Sequence, residues 1–223
     1  MTSTAPDLSP RARPTVGVLL AAGAGTRLGR GPKALLPHHG RPLVEHVAGV
    51  LAEGGCDVVV VVLGAGADRV RAEAALDRPA VRVVVNDDWE SGMASSLRRG
   101  VATALADDAA RVVVAHVDQP GVRPDDVARL LAAHRPGRVV ASRWTGAVGQ
   151  DAAALSHGDA RGNPRWAHPL VLDASLAAPA AASAHGDHGA RAFLRAHADL
   201  IDVVDHPGDG RDLDTEADLD LLA

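Results

Sequence analysis

The sequence is short of several things, and each shortage excludes a class of protein. One cysteine, Cys56, stands among 223 residues. A single cysteine makes no disulfide within the chain and no cysteine-built zinc site, and a cytoplasmic setting fits it. Aromatic residues make up 2% of the chain, as three Trp, one Phe and no Tyr. A protein that stacks unpaired bases on exposed rings needs more of them. Lys and Arg number 23 against 28 Asp and Glu, for a formal charge of −5, so there is no basic footprint for a polyanion. No apolar run approaches the roughly 18 residues of a membrane span. The expected partners therefore include neither nucleic acid nor a membrane. The stretch from Met1 to Pro14 carries Pro, Ser, Thr and Arg without the apolar segment of a signal peptide, and is expected to be a disordered tail.

What fills the core instead is Ala, Val and Leu, within a hydrophobic content of 47%. Small and β-branched side chains suit helices laid closely on a sheet. Thr15–Ala21 (TVGVLLA) is continuously apolar, as a strand covered on both faces would be. Further strands are expected at Asp57–Leu63, Val81–Val85, Arg111–Val117 and Arg138–Ser142. Between them lie helical segments at Pro42–Glu53, Asp68–Leu76, Ser91–Leu105 (Ser91 as N-cap) and Arg123–His134. This alternation indicates a parallel α/β sheet. The pattern then weakens. Gln150–Ala167 reads as a loop, Pro169–Asp173 as a strand, and Ala177–Ala184 as helix or linker. Ala190–Ala198 reads as a helix, Leu200–Val204 as a strand and Thr215–Leu222 as a final short helix. Without a repeat or a clear linker, residues 15–223 form one expected domain.

Directly after the first strand, Gly23, Gly25 and Gly29 punctuate AAGAGTRLG. Ligands bind at the carboxyl ends of strands in such sheets, and glycines let backbone N–H groups approach phosphate oxygens. The spacing G-x-G-x-x-x-G is not that of a dinucleotide fold. Nor is it a Walker loop, since Ala34 follows Lys33. Arg27 offers a planar fork for phosphate and Lys33 a compact charge. The competing reading is a plain tight turn with two solvated cations. There is no G-x-S-x-G elbow, and Cys56 precedes a strand without an obvious base, which excludes covalent hydrolase chemistry. Histidines 38, 39, 157, 185, 188, 197 and 206 show no metal-ligand spacing and are expected to be solvated.

The run LLAAGAGTRLGRGPKALLPHHGRPLVEH resembles the opening motif of nucleotidyltransferases that activate a phosphate with an NTP. Downstream matches keep the family's order: Asn86, Trp89, GMASSLRRG, HVDQP, His168-Pro169, GDHGAR and DLDT. Together, over roughly Val16 to Leu222, they most resemble the molybdenum cofactor cytidylyltransferase branch of the MobA-like NTP transferase family. The resemblance implies a three-layer α/β/α fold with a mostly parallel, Rossmann-like sheet of the nucleotide-diphospho-sugar transferase type. It implies an NTP along the glycine-rich loop, a small phosphorylated acceptor such as molybdopterin, Mg²⁺, and loss of pyrophosphate. A monomer or weak dimer is expected.

Carried over residue by residue, the resemblance makes Lys33, Arg27 and Asp118 catalytic. Ala21, Ala22, Gly23, Gly25, Thr26, Asn86, Ser95 and Ser96 would bind the nucleotide. The Ala21-Ala22 pair is the cytidylyltransferase form of the motif, which favours CTP over GTP. Asp118 would hold Mg²⁺ at the end of its strand, or else cap the turn before Pro120. Asp212 and Asp214, at period two, would share a face, with Asp214 the better ligand or else an N-cap. His168, Pro169, Gly186, Asp187 and Arg191 lie where the family binds its acceptor. Ala167 replaces a glycine that precedes the His-Pro pair in relatives, and about eighteen residues part Gly149 from His168. Other acceptors considered are phospholactate, a sugar phosphate and methylerythritol phosphate, with guanylyl or other NMP transfer. Outside this class stand a non-catalytic nucleotide-binding module and a dinucleotide-dependent oxidoreductase.

Overall fold

The computed structural model describes residues 12–146, 166–208 and 210–223. Residues 1–11 and most of the expected 150–167 loop lie outside them. Arg13 donates to the Asp108 side chain and the Ala109 carbonyl, and the Pro14 carbonyl accepts from Ala110, so the described chain is tied down before its first strand.

In chain order the elements are β1 (Thr15–Ala21), β2 (Pro37–His38), β3 (Arg41–Pro42), α1 (Leu43–Glu53), β4 (Val58–Leu63), α2 (Ala67–Glu73) and β5 (Val81–Val85). Then come α3 (Met93–Ala106), β6 (Arg111–His116), α4 (Pro124–Ala133), β7 (Val139–Trp144) and β8 (Ala167–Asp173). Helices α5 (Ala174–Ala182) and α6 (Arg191–Ala196), strand β9 (Ile201–His206) and a 3-10 turn (Glu216–Leu222) complete it. The sheet runs β5-β4-β1-β6-β8-β7-β9. Only β8 runs against its neighbours β6 and β7; the pairs β1–β4, β1–β6, β4–β5 and β7–β9 are parallel. Such a sheet needs helices on both faces. Period-two alternation splits the strands accordingly. Leu19, Val61, Val113 and Val171 face the α1 and α4 side, while Val18, Val60, Val114 and Leu172 face α3, α5 and α6.

The alanine-rich stretch is a helix, α5, whose Ala177, Ala180 and Ala181 are buried. Its small side chains let it lie close to α3. Two sequence expectations are corrected. Ser91 does not cap α3: it sits in a preceding 3-10 turn, its hydroxyl donating to Asp88, and Gly92 takes the cap position at φ 108. A Cβ there would run into the Gly186 backbone, so only glycine fits. Two of the histidines expected in solvent are buried: His38, and His206 at 0% exposure. His197 is half-buried and stacks on Phe193, whereas His39, His185 and His188 are exposed. His157 lies outside the described residues. Among the described residues no helix is long and apolar enough to cross a membrane.

Gly100 lets α3 settle onto the sheet, because a Cβ would press into Val18 and Val62. Helix propensity alone would reward Gly100→Ala by about 1 kcal/mol. Overpacking costs ~1–3 kcal/mol, and it wins here. The variant should lower the urea midpoint. His206 sits with its Nδ1 3.2 Å from the Asp126 carboxylate. Burial drives its pKa below the ordinary value, outweighing the pull of Asp126. Below about pH 6.5 the unfolded chain therefore takes up a proton that the folded chain refuses, and stability falls with pH. Urea titrations from pH 7 to 5 should show this slope, made shallower by His206→Asn.

Candidate active site

The glycine-rich turn leaves the carboxyl end of β1 in the middle of the sheet. Gly25 adopts φ 66, and its missing Cβ makes room for the Gly31 carbonyl. The Gly25 carbonyl accepts from Leu28 and Gly29, which closes the turn at 3.1 Å each. Leu28 is buried and anchors the loop, leaving Gly23, Thr26 and Arg27 exposed along its outer rim. Ala21 and Ala22 are buried at its base. Ala22 packs so closely on Gly64 that neither can grow, and Trp89 packs on Gly64 from the other side. Trp89 thus has a packing contact here.

The centre of the site is Lys33. It is the only lysine in the chain, against 22 arginines. Its Nζ donates to Asp118 Oδ2 at 2.9 Å and to Asp214 Oδ1 at 2.6 Å. Desolvation would lower the lysine pKa; the two carboxylates outweigh it and hold the ammonium above its ordinary value. These contacts argue against the capping alternatives. The Asp118 carboxylate does not cap a turn, since it faces Lys33. Nor is Asp214 an N-cap, because Thr215 caps the 3-10 turn in a reciprocal box with Asp218. Arg27 reaches Asp214 only at 3.8 Å and is largely exposed, free to turn toward a ligand.

Asp212 and Asp214 flank the fully buried Leu213, whose N–H donates to the Asp118 carbonyl at 2.7 Å. Asp212 is near enough to Asp214 and Asp118 to feel their charges, although residues 210–214 form no strand. Asp212 does not contact Lys33. Desolvation in this corner, with the charges of Asp118 and Asp214, pushes its pKa up to about 6. Among the described residues no three His, Cys, Asp or Glu side chains form a ready metal cage. The donor set still fits a magnesium-like ion, which takes one or two carboxylates and completes its shell with water and phosphates. Asp118 Oδ1 is buried without a hydrogen-bond partner, as a carboxylate oxygen reserved for such an ion would be.

Asn86, Ser95 and Ser96 come together but turn inward. Asn86 Nδ2 donates to both serine hydroxyls at 2.8 and 3.0 Å, and all three residues are buried. What they offer a ligand is a fixed loop rather than free polar groups. Gly186 packs on Gly92, and the Asp187 carboxylate accepts from Met93 N at the start of α3. The turn at Gly186 and Asp187 is thereby pinned to the start of α3.

Sequence reasoning singled out His168 and missed its partner. Because β8 runs against β6, the start of β8 lies at the carboxyl end of β6, and His168 stacks on His116 with centroids 4.0 Å apart. Burial lowers both pKa values, His168 well below the usual range, and Arg191 is near enough to add to the effect. The stacked pair thus lies beside Asp118 through His116, two residues before it on the same strand end. His116 extends the Val112, Val114 face of β6 by period two, a legible signal; its pairing with His168 was not. Trp144 joins this side by donating its ring N–H to the His168 carbonyl at 3.2 Å. Cys56, buried with its thiol pushed up to about 12, takes no part. A separate cavity of about 390 Å³, lined by His38, His46, Glu45 and Arg78, opens beside α1 away from these residues.

Comparison with known proteins places this geometry. The model of the MobA-like NTP transferase domain matches residues 17–200. Nicotine blue oxidoreductase of Paenarthrobacter nicotinovorans is 48% identical over 201 residues, covering 89% of this chain and 91% of that protein. Molybdenum cofactor guanylyltransferase of Xanthomonas euvesicatoria pv. vesicatoria is 34% identical over 120 residues, 54% of this chain and 55% of that one. Among solved structures, Rv0371c of Mycobacterium tuberculosis superimposes with a TM-score of 0.73 at 27% identity, covering 95% of this chain and 98% of that one. Its manganese complex gives a TM-score of 0.68 at 28% identity, over 94% of this chain and 98% of that one. The chain belongs to the MobA-like NTP transferase family, a family of nucleotidyltransferase enzymes.

Proposed function

We propose that this enzyme transfers a nucleoside monophosphate, CMP from CTP in preference, to a phosphate-bearing acceptor such as molybdopterin, with Mg²⁺ as cofactor. The observation that carries the reading is the lone lysine held between Asp118 and Asp214 at the mouth of the glycine-rich turn. An oxygen of the acceptor phosphate attacks the α-phosphorus. The bond from that phosphorus to the β-phosphate bridging oxygen breaks, and pyrophosphate leaves with the electron pair. Such chemistry asks the protein for positioning and charge neutralisation. Arg27 would grip the β- and γ-phosphates from the rim. Lys33 would neutralise charge growing at the α-phosphate, and a compact ammonium fits between two carboxylates where a planar fork does not. Asp118 and Asp214 would hold the metal, which when bound neutralises phosphate charge. His168 and Arg191 would meet the acceptor.

A second reading has its own support. The relative named nicotine blue oxidoreductase matches far more of the chain than the guanylyltransferase does. On that reading the same crevice would carry out an oxidation–reduction of nicotine blue, although the glycine spacing is not that of a dinucleotide fold.

The test sets both activities side by side: pyrophosphate release from each NTP with Mg²⁺ and candidate acceptors, and loss of nicotine blue colour with NADH or NADPH. Pyrophosphate release with CTP is expected. Pigment reduction without pyrophosphate from any NTP and acceptor would replace the first reading by the second. Lys33→Ala should reduce kcat at least about a hundredfold, the ~3–4 kcal/mol of one such electrostatic contact, while circular dichroism stays unchanged. Lys33→Arg should not restore it. Near-wild-type turnover in either variant contradicts the role given to Lys33.

A further inference from the structure

Trp144 touches both halves of the site without lying in either. It ends β7 and is 3% exposed. Its ring N–H is spent on the backbone carbonyl of His168, on the acceptor side. The other half is met by the ring itself. Gly210, at φ 56, lies so close to the pyrrole part of the indole that a Cβ would clash with it, and Gly208 lies near the benzene part. Gly210 opens the segment that carries Asp212 and Asp214, and Leu213 between them belongs to the same buried apolar cluster as Trp144. The backbone is fastened on the same side: Thr145 N–H donates to the His206 carbonyl and Gly146 N–H to the Gly208 carbonyl. Gln119, next to Asp118, donates weakly to the Gly210 carbonyl at 3.4 Å.

We propose that Trp144 is a positioning residue: one indole sets the distance between the carboxylate segment Asp212–Asp214 and the acceptor-side His168. The inference rests on the nucleotidyltransferase reading and goes beyond it. A leucine would keep the position apolar, but it would leave space unfilled, would not donate to His168 and would present no flat face to Gly210. The substrate-facing consequence is that metal–nucleotide binding and acceptor binding share one mechanical support. Both weaken when the support is altered, without loss of the sheet.

The probe is Mn²⁺·CTP, with free Mn²⁺ counted by electron paramagnetic resonance, so that binding is read apart from turnover. Trp144→Phe keeps an aromatic ring but loses the N–H. Gly210→Ala keeps the indole and pushes on it. Val139→Ala, at a fully buried position on the same strand but facing the opposite layer, is the control for lost packing alone. Melting temperatures are measured alongside. Trp144→Phe and Gly210→Ala are expected to weaken Mn²⁺·CTP binding at least about fivefold and to raise the acceptor KM more than they lower kcat. Val139→Ala should lower the melting temperature and leave binding within twofold of wild type. Wild-type affinity and KM in both Trp144→Phe and Gly210→Ala, or equal losses in Val139→Ala, overturn the proposal. A wild-type protein that takes up no Mn²⁺·CTP overturns the CTP reading on which this inference rests, and this inference with it.

Discussion

One ammonium shared by two carboxylates is the interaction on which this site depends. Lys33 is 85 residues from Asp118 and 181 from Asp214 in the sequence. It comes from the turn after β1, Asp118 from just past β6, and Asp214 from the segment after β9. Only the finished sheet brings the three together. The lysine side chain is 14% exposed, so its charge has lost much of its water. Desolvation of that kind is tolerated only where opposite charge is close. The reverse holds too: without Lys33, Asp118 and Asp214 would face each other uncompensated. Everywhere else this chain uses arginine as its cation, which makes the single lysine a choice of shape as well as of charge.

Topology explains what surrounds it. The parallel neighbours β1 and β6 end on the same edge, so the glycine-rich turn and Asp118 are adjacent by construction. The antiparallel β8 then does what no parallel strand could: it delivers its first residues, His168 among them, to the edge where its neighbours end. One wall of the crevice is therefore built from the start of a strand, and the other from the ends of strands. Farther out, the β9 edge is protected by charge pairs, with Asp202 held by Arg135 and Arg138 and Asp205 by Arg143. Those arginines hold the Asp202 carboxyl down to about 2.

Local features were legible in the sequence, and non-local ones were not. β1 and β5 have the expected bounds; β1 is buried and apolar throughout, whereas β5 is a half-buried edge strand read from its valines. The turn could be read because glycine is conspicuous where an apolar strand stops, while Lys33 and Asp118 were given their roles through the family resemblance. Ser91 misled because serine caps helices so often; a backbone at positive φ, packed on Gly186, outweighed that preference. His206 misled because its partner Asp126 lies on α4, far away in sequence. The His116–His168 stack was hidden by the one antiparallel strand. Asn86, Ser95 and Ser96 were rightly grouped, yet their hydrogen bonds turn inward, which only packing decides.

The family scaffold accommodates relatives with transferase and oxidoreductase names, so the central claim concerns Lys33 and what binds over it. A lone lysine permits a direct measurement. Acetylation of its amine can be followed by mass spectrometry, with the N-terminal amine as internal reference. If Mg·CTP lies along the glycine-rich turn against Lys33, labelling there should slow at least about tenfold with Mg·CTP and stay unchanged with NADH. Labelling indifferent to Mg·CTP, or blocked by NADH instead, would contradict the account.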